Sequence, residues 1–559
     1  MSLPALLGWL DEPDADRGVR FFRPPAAWAF CSYRVLARAT FAAAERLRDA
    51  GAGPGTLVAV ATGSAPEFVA GFFGAVAAGA TPVPVAAPAL FERTGAYAQR
   101  LRWLLAASGA TYLVTVPEFA AQLAAAAPEA RQLVLTMSAL DGEAAAPRAP
   151  ARPSPVAMVH FTSGSSGRPR PVAVPAGGLR ENIEAISRWL AMRPGDAVAT
   201  WLPVHHDMGL TGCLLTPILN RADLWVMRPQ DFVRDPVTWL SCFGGHGARL
   251  TAAPPFGLSH VVQRVRARHL AGLGWDMRHW RGLIVGAERI EARVLDEFAR
   301  LLRPFGFSPR AFLPAYGLAE ATLAVTGAAL ADVPRTVLAA RRSLVVGGRV
   351  RVRRTPGEGR AVSVVSCGAP LVPGSSVRIV SDNGETLPHG FLGEIVVTGP
   401  ALARDHHDAG GSRFRGAELF TGDSGFLDGD DLFVLGRLGD AIKRRAGLLL
   451  AEDLETAVRD VPALRRARAV VLLGVLNGDD TAILVAERRA GPWIAAATRV
   501  LRRAAGEIRV IVVAGPAGTV RRTTSGKPRR RPMWTAFAAG TLGGDTVADV
   551  APRAGAGHD

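Results

Sequence analysis

One short run of glycine, hydroxyl and basic residues has the chemistry of a polyphosphate-binding loop. Residues 162–170 read Thr-Ser-Gly-Ser-Ser-Gly-Arg-Pro-Arg and follow directly on the apolar run Val156–Phe161. The glycines let the backbone approach a ligand closely, and the N–H, hydroxyl and guanidinium groups can bind phosphate oxygens. The run lacks the Gly-Lys-Ser/Thr ending of a Walker A loop and the Gly-x-Ser-x-Gly of a nucleophile elbow. Taken alone, an ordinary Ser/Gly turn between a strand and a helix remains an alternative.

A lysine near the end of the chain is the second candidate for chemistry. The 559 residues include 65 basic and 49 acidic side chains, and all but two of the basic ones are arginines. The exceptions are Lys443 and Lys527, and Lys527 follows a glycine in Thr-Ser-Gly-Lys. A lysine ammonium is a compact charge that reaches one oxygen, whereas arginine is a wide planar fork. Lys527 could therefore place one charge in a site; a solvated cation beside the arginines at 529–531 is the alternative.

The formal net charge of +16 would ordinarily suggest nucleic acid or an acidic surface as partner. Here the arginines are spread through an Ala- and Gly-rich chain, which indicates a compositional drift of the whole protein. About half of the surplus lies in residues 440–559. Because the net charge is the only feature that favours nucleic acid, we predict no nucleic-acid partner.

The elements that must position these residues follow from the alternation of short apolar runs with helix-length stretches. Strands separated by helical patterns predict parallel sheets with crossover helices. The rhythm begins with a strand at 57–61, a helix at 66–78 and strands at 81–85 and 111–116. It resumes with strands at 156–161, 223–227 and 281–285. From about Ser343 to Pro400 short β-rich runs separated by turn residues predict a small barrel or sandwich.

A chain of this length exceeds one hydrophobic core, so several domains are expected. We predict an N-terminal domain over 1–437, whose β-rich subdomain spans about 343–437. The rhythm after Gly436 is helix, strand, strand, helix, strand, which predicts a small α+β domain over 438–541. Residues 141–155 have the composition of a connector, and the Gly-, Ala- and Asp-rich residues 542–559 that of a disordered tail.

Three further patterns exclude classes of protein. The longest charge-free run, Phe68 to Phe91, contains three prolines and many small residues, so a buried α/β element is predicted and no membrane span. The first fourteen residues carry early acidic residues and no basic flank, which argues against a signal peptide. The four cysteines lie far apart without Cys-x-x-Cys spacing, and a reducing cytoplasm is the expected location.

The phosphate-loop segment resembles that of the adenylate-forming superfamily, which comprises acyl- and aryl-CoA synthetases, adenylation domains and luciferases. Other segments resemble family motifs in the right order, and the version at 201–210 (Trp-Leu-Pro-Val-His-His-Asp-Met-Gly-Leu) is similar to that of fatty acyl-AMP ligases. The remaining segments are Gly-Ala-Glu at 286–288, Pro-Ala-Tyr-Gly-Leu-Ala-Glu-Ala-Thr at 314–322, Thr-Gly-Asp at 421–423, Gly-Arg at 436–437 and Thr-Ser-Gly-Lys at 524–527. The resemblance implies the fold outlined above: two doubly wound α/β subdomains, a small β-barrel and a mobile α+β C-terminal domain.

The resemblance also implies the roles of individual residues in joining a carboxylate to AMP. Lys527, Arg170 and His206 would be catalytic. His206 would lie near the acyl carboxylate or gate its pocket, and Arg170 stands where the family usually has lysine. Glu320 would hold Mg²⁺ as a hard oxygen ligand, although an ordinary carboxylate at a helix N-terminus is the alternative. ATP would be bound by residues of the phosphate loop, the adenine turn and the ribose site: Thr162, Ser163, Gly164, Ser165, Ser166, Gly167, Gly286, Ala287, Glu288, Tyr316, Gly317, Asp423 and Arg437.

The neighbouring histidines 205 and 206 could also be read as metal ligands. Neighbours in an extended segment point to opposite sides, and no Cys/His cluster accompanies this pair. A metal site is therefore not predicted here.

The superfamily divides by the final acceptor of the acyl group. The resemblance favours a fatty acyl-AMP ligase, which passes a fatty acid to the phosphopantetheine thiol of an acyl carrier protein. Three features support this assignment: the 201–210 motif, Ala-Glu-Ala-Thr-Leu at 319–323, and an interval of roughly fifty residues between Tyr316 and Gly368. The resemblance places an insertion in that interval, and the insertion impedes the CoA-using state. A basic C-terminal domain would suit an acidic carrier protein. A CoA ligase and a catalytically impaired ATP-binding paralogue, suggested by Arg170 and Ala446, remain alternatives.

Overall fold

The computed structural model describes residues 5–25, 27–88, 94–140, 154–162, 169–353, 361–406, 412–444, 447–465, 467–523 and 526–552. The predicted phosphate-binding residues Ser163, Gly164, Ser165, Ser166 and Gly167 lie outside these ranges. So do Ala446 and residues 141–153 of the expected connector.

Two sheets form the α/β part that the alternation predicted. The smaller has four parallel strands, in spatial order Thr81–Pro84, Leu57–Val60, Tyr112–Thr115 and Arg131–Val134. The larger has nine strands and is parallel in its centre. Its spatial order is Ala369–Pro370, Ala324–Gly327, Phe312–Gly317, Gly282–Val285, Leu250–Ala253, Ala197–Thr200, Asp223–Val226, Gly18–Arg23 and Ala27–Ser32.

Helices cross over between these strands, and five of them begin with proline, which suits the first helical turn because its N–H has no partner there. Ser32 caps the first long helix by accepting a hydrogen bond from the N–H of Val35. The α-helices before residue 303 are Tyr33–Asp49, Pro66–Ala77, Thr94–Ser108, Pro117–Ala126, Met137–Leu140, Ala176–Trp189, Thr216–Leu219, Pro229–Arg234, Pro236–Gly244, Pro255–Arg264, Ala267–Leu270 and Ala292–Leu302. A π-helix spans Met208–Leu215.

The charge-free run is a buried α/β element, as predicted. The run includes most of helix Pro66–Ala77 and all of strand Thr81–Pro84. Phe68, Phe72 and Phe73 are among the most deeply buried side chains. Within the part of the chain that the structure describes, no helix has the length and apolarity needed to span a membrane.

Antiparallel strands follow the nine-stranded sheet, as the turn-rich sequence predicted. A five-stranded sheet contains Ser376–Val380, Gly393–Thr398, Phe414–Arg415, Glu418–Asp428 and Asp431–Arg437. A three-stranded sheet of Thr336–Ala340, Val352–Arg353 and Ala361–Val365 lies within the long interval between Tyr316 and Gly368; we call it the insertion sheet. A third small sheet joins Val156–Phe161, Pro171–Pro175 and Arg404–Asp405.

Residues 438–552 form what we call the lid. Hairpin Ala441–Arg444/Gly447–Leu450 leads into helix Ala451–Arg459. Strands Ala469–Leu476 and Asp479–Ala486, helix Trp493–Ala505 and strand Arg509–Ala514 follow in the predicted order, and helix Arg530–Ala538 comes after them. These elements bury their own hydrophobic core, which includes Leu454, Leu484 and Leu501.

The expected disorder of residues 542–559 is wrong for part of that segment. Asp545–Val550 forms an edge strand that pairs antiparallel with Arg509–Ala514. Val547 and Ala548 of this segment pack against the lid core, and the residues on either side of this pair are polar. A short strand on an existing sheet needs few apolar residues because its backbone hydrogen bonds are supplied by the neighbouring strand.

Candidate functional site

A cavity of about 550 Å³ lies between the large α/β sheet, the five-stranded sheet and the lid. Several of its residues follow parallel strands at their carboxyl ends, where open α/β sheets place their ligands. All predicted site residues that the structure describes border it: Thr162, Arg170, His206, Gly286, Ala287, Glu288, Tyr316, Gly317, Glu320, Asp423, Arg437 and Lys527. Residues more than 350 positions apart in the chain thus share one cleft.

A hydrogen-bonded triad lines the side expected to bind nucleoside. The Tyr316 hydroxyl donates to Oδ2 of Asp423 at 2.8 Å, and Nε of Arg437 lies 3.1 Å from the other carboxylate oxygen. Burial and the neighbouring Asp423 charge raise the pKa of Tyr316 well above its usual value, so the phenol stays protonated. The triad orients the Asp423 carboxylate, which has lone pairs left to accept hydrogen bonds from a diol.

The adenine turn and the tyrosine strand come together through glycines. A side chain on Gly317 would place its Cβ 2.0 Å from the carbonyl oxygen of Leu323, and one on Gly286 would come within 2.8 Å of the carbonyl of Ala315. Ala287 has a positive φ of 68°, a sparsely populated conformation for a residue with a Cβ. Such strain is concentrated at functional sites.

The two ends of the phosphate-binding segment meet at the cavity. The N–H of Thr162 donates to the carbonyl of Arg170 at 2.9 Å, and the N–H of Arg170 donates back to Oγ1 of Thr162 at 3.1 Å. The antiparallel strands Val156–Phe161 and Pro171–Pro175 lead into this pair. The glycine-serine segment therefore starts and ends at the cavity wall.

Glu320 is a buried carboxylate on the cavity wall, 5% exposed. Its Oε1 lies 3.5 Å from Nη1 of Arg413, and that arginine also donates to the carbonyl of Thr421 at 3.0 Å. Among the described residues no cluster of three or more His, Cys, Asp or Glu could form a metal site by itself. A single carboxylate suits Mg²⁺, which protein sites hold with one or two carboxylates plus phosphate oxygens and water. Glu320 thus fits an ion that arrives with a nucleotide.

The two neighbouring histidines do not point to opposite sides as expected. A hydrogen bond from the N–H of His206 to the carbonyl of Pro203 folds the segment into a turn, and the rings of His205 and His206 lie 4.5 Å apart. The expectation failed because it assumed extended backbone. His206 borders the cavity, and burial together with nearby His205 lowers its pKa well below the usual value. The His206 imidazole is therefore neutral at neutral pH.

Lys527 reaches the cavity on a tight turn of the lid. Its N–H donates to Oγ1 of Thr523 at 3.0 Å, its carbonyl accepts from the N–H of Thr523 at 2.8 Å, and Arg522 donates to the carbonyl of Gly526 at 2.6 Å. A Cβ on Gly526 would lie 3.3 Å from the ring of Phe256, so the turn rests on the large domain. The Lys527 charge contributes to the lowered pKa of His206 and opposes the burial that raises the pKa of Glu288. All three residues border the same cavity.

Ion pairs hold the lid in this position. Asp453 on the lid pairs with Arg289 at 2.5 Å and with Arg341 at 3.1 Å, and both of its partners lie outside the lid. Arg459 pairs with Glu291 at the cavity rim. Asp453 and Arg289 are almost fully buried, so salt screens this pair less than it would a surface pair.

Comparison with known proteins decides the family. The AMP-binding enzyme family matches residues 15–406. The chain belongs to this family. The resemblance to adenylate-forming enzymes is therefore confirmed, and so is the predicted α/β fold class.

Relatives extend the match across the lid of this AMP-binding enzyme. A putative acyl-CoA synthetase of Caulobacter vibrioides is 30% identical over 517 residues, covering 89% of each chain. The long-chain-fatty-acid–AMP ligase FadD26 of Mycobacterium tuberculosis is 29% identical and covers 80% of this chain and 79% of its own. A solved structure from studies of fatty acyl-adenylate ligases of E. coli and L. pneumophila matches with a TM-score of 0.87 and 29% identity. The match covers 96% of this chain and 97% of that chain.

Sequence reasoning missed two basic residues of the AMP-binding enzyme's cavity. Arg413 contacts Glu320, and Arg522 braces the lysine turn; both border the cavity. Neither belongs to a motif, and in a chain with arginines throughout no local signal distinguished them. Burial and the neighbouring Arg437 charge lower the pKa of Arg413, which is the expected mark of cations crowded together to receive an anion.

Replacing Asp423 with asparagine is expected to raise the KM for ATP roughly tenfold to a hundredfold, because the variant loses a charge-assisted acceptor and leaves Arg437 unpaired. The ATP dependence of acid-stimulated pyrophosphate release measures the effect. Asp428→Asn is the matched control, since Asp428 is an exposed residue on the same strand that pairs with Arg335. An unchanged KM for ATP in Asp423→Asn would contradict the nucleoside role.

His205 is expected to make the enzyme sensitive to acid. Burial, Arg100 and His160 together lower its pKa to about 3, so the folded state keeps it neutral while the unfolded chain binds a proton below about pH 6.5. Its contribution to stability is complete above pH 6.5 and is lost as pH falls towards 3, by up to about 1.4 kcal/mol per pH unit.

Replacing His205 with phenylalanine should therefore reduce the loss of stability between pH 7 and pH 5, measured as the shift of the urea unfolding midpoint. The buried Nε2 of His205 has no hydrogen-bond partner among the residues that the structure describes, so the substitution breaks no bond to them at that atom. His269→Asn, at an exposed position, serves as control. Equal acid sensitivity in wild type and His205→Phe would refute the prediction.

Proposed function

We propose that this AMP-binding enzyme activates a fatty acid with ATP to an acyl-adenylate, releases pyrophosphate, and passes the acyl group to the phosphopantetheine thiol of an acyl carrier protein. The observation that carries the proposal is that one cavity is lined by both charged and apolar side chains. Lys527, Arg437 and Glu320 border it, and so do Ile186, Leu323 and other apolar residues. The charged groups suit two reacting anions, and the apolar ones suit a hydrocarbon tail.

The residues divide the work of the first step. The acid's carboxylate oxygen forms a bond to the α-phosphorus, the bond from that phosphorus to the bridging oxygen breaks, and pyrophosphate leaves with the electron pair. Lys527 neutralises the charge that accumulates between the carboxylate and the α-phosphate. The neutral His206 can donate a hydrogen bond to the carboxylate without adding charge. Arg170 and the hydroxyls of the glycine-serine segment bind the leaving phosphates, and Mg²⁺ on Glu320 would offset their charge.

Contacts between the insertion sheet region and the lid favour a carrier protein over CoA as acceptor. Arg341 pairs with Asp453, and the N–H of lid residue Leu448 donates to the carbonyl of Leu344 at 2.5 Å. Gly447 packs so closely that a Cβ would lie 2.8 Å from the carbonyl of Arg341. Any rotation of the lid about the hinge at residues 438–440 must break these contacts, which adds to the cost of reaching a CoA-using state.

A CoA ligase is the second candidate, because the Caulobacter relative is named a putative acyl-CoA synthetase. The deciding experiment follows acid-dependent pyrophosphate release with fatty acids, then acyl transfer to phosphopantetheinylated carrier protein, to the same carrier without its prosthetic group, and to free CoA. We expect transfer to the modified carrier alone. Comparable turnover with CoA would favour the second candidate, and no pyrophosphate release with any acid would indicate an impaired paralogue.

The contacts of Arg341 offer a direct test of acceptor choice. Arg341→Ala removes one partner of Asp453 and should raise thioester formation with CoA several-fold while pyrophosphate release stays close to wild type. Arg342→Ala is the matched control, since the neighbouring Arg342 side chain is exposed. Unchanged CoA turnover in Arg341→Ala would argue that this ion pair does not restrain the lid.

A further inference from the structure

We propose that Trp189 is the end wall of the acyl pocket and that Gly212 supports its side wall at Leu323, so that these two residues set the longest unbranched acyl chain the enzyme accepts. The inference rests on the proposed function and adds to it the length selectivity of the fatty acid site. Both residues border the cavity. Neither belongs to the groups expected to contact ATP.

Two helices supply residues to the cavity wall near His206. The π-helix Met208–Leu215 begins two residues after His206, and its residues Met208 and Gly212 border the cavity. π-Helical turns occur mostly at functional sites. Helix Ala176–Trp189 supplies Ile186 and Trp189, which are one helical turn apart and therefore share a face. A tail whose carboxylate lies at His206 would follow this route.

Trp189 closes the route because its ring cannot move away. Its indole N–H donates to the carbonyl of Ala328 at 2.7 Å. A Cβ on Gly327 would lie 2.5 Å from Cζ2 of the indole, so the six-membered ring lies directly against the backbone there. The hydrogen bond fixes the indole N–H, and the backbone at Gly327 limits movement of the ring.

The neighbouring strand shows where the cavity ends. Leu323 and Ala324, at the start of strand Ala324–Gly327, border the cavity, whereas Gly327 and Ala328 at its other end do not. Three residues of extended chain span about 10 Å. The cavity thus stops along this strand at the point where Trp189 covers it.

Gly212 packs against Leu323, another residue of the cavity wall. A Cβ on Gly212 would lie 3.0 Å from Cδ2 of Leu323, which is tighter than ordinary van der Waals contact. A side chain at position 212 would therefore push Leu323 into the space that an acyl chain would occupy. A larger residue would block the route to Trp189 without touching the reacting groups.

The test measures kcat/KM for pyrophosphate release with saturated acids from hexanoate to stearate. Trp189→Ala should shift the optimum to longer acids and raise the long-to-short ratio about tenfold or more, the discrimination that one methylene provides in an apolar pocket. Gly212→Leu should shift it to shorter acids, with Gly212→Ala in between. Trp189→Phe, which keeps a ring at the wall, should stay within a few-fold of wild type.

The outcomes separate this inference from the proposed function. Opposite shifts in Trp189→Ala and Gly212→Leu support it, and the KM for ATP should remain that of wild type in both. If wild type is active and neither variant changes the dependence of kcat/KM on acid length, the inference is overturned while the proposed function stands. If Trp189→Ala does not fold, the graded shift in the two Gly212 variants decides. No pyrophosphate release by wild type with any fatty acid overturns the proposed function and the inference with it.

Discussion

Lys527→Ala is expected to abolish acyl-adenylate formation, lowering acid-dependent pyrophosphate release by about 10³-fold or more, while ATP still binds. Loss of one preorganised group that stabilises transition-state charge typically costs a factor of 10² to 10³. The lid turn places Lys527 on the cavity that His206 and Glu288 also border. ATP should survive as a ligand because Tyr316, Asp423 and Arg437 are untouched.

The measurement is pyrophosphate release in single turnover, paired with ATP binding by calorimetry. Arg531→Ala is the control, since it removes an exposed cation four residues further along the same segment. Pyrophosphate release at the wild-type rate in Lys527→Ala would contradict the assignment. Loss of ATP binding would instead mean that Lys527 already helps to bind ATP before the reaction.

Arg530→Met should destabilise the lid by about 3–5 kcal/mol, the usual cost of removing one partner from a buried ion pair. The Arg530 side chain is 11% exposed and lies between three carboxylates that come from the hinge and from helix Ala451–Arg459. The distances are 3.2 Å to Asp440, 3.0 Å to Glu452 and 2.9 Å to Glu455. Without the guanidinium, these acids would repel one another in a region that excludes water.

Hydrogen exchange of lid strand Asp479–Ala486 reports the loss directly, because its amides exchange when the lid opens or unfolds. Burial raises the pKa of Glu452, and Arg530 opposes that rise. The pKa of Glu452 should therefore rise further in Arg530→Met. A protonated carboxyl needs no counter-charge, so the loss of lid stability in Arg530→Met should become smaller as pH falls. Arg531→Met controls for the mutation itself; equal protection in both variants would show that the buried cluster adds nothing to lid stability.

Arg530 also connects the Lys527 turn with the hinge. It lies three residues after Lys527 and contacts Asp440 at the hinge. Adenylate formation in Arg530→Met should consequently fall even at temperatures where the lid stays folded. The cause would be a misplaced Lys527 turn, which a kcat decrease with an unchanged KM for ATP would reveal.

Strands and motifs near them were predictable because they are local. The strand at 156–161 has the predicted bounds, and those at 57–60 and 223–226 differ by one residue. Buried parallel strands read as continuous apolar runs, so the pattern needs no distant partner. The edge strand Asp545–Val550 escaped prediction because its pairing partner, not its own composition, makes it a strand.

The site was predictable in its residue types but not in its contacts. Residue types, together with the resemblance to family motifs in the family's order, predicted Tyr316, Asp423 and Lys527 as site residues. Their convergence depends on how the sheets and lid pack, as does the contact of Arg413 with Glu320. Thr322, next to this region, adopts a positive φ of 67° that its β-branched side chain disfavours, and its hydroxyl bonds the carbonyl of Ala401. Only the packed structure can impose that conformation.

The sequence by itself determined the alternation of strands and helices, the family, and which hydroxyl, acidic and basic side chains are available for the reaction. Each of these depends on neighbours within a few positions or on residue type alone. Only the tertiary structure decided that the two histidine rings lie side by side in a turn, that Asp453 ties the lid to Arg289 and Arg341, and that Trp189 borders the cavity. Those facts are distances between groups far apart in the chain, and such distances are fixed by packing and backbone hydrogen bonding across sheets.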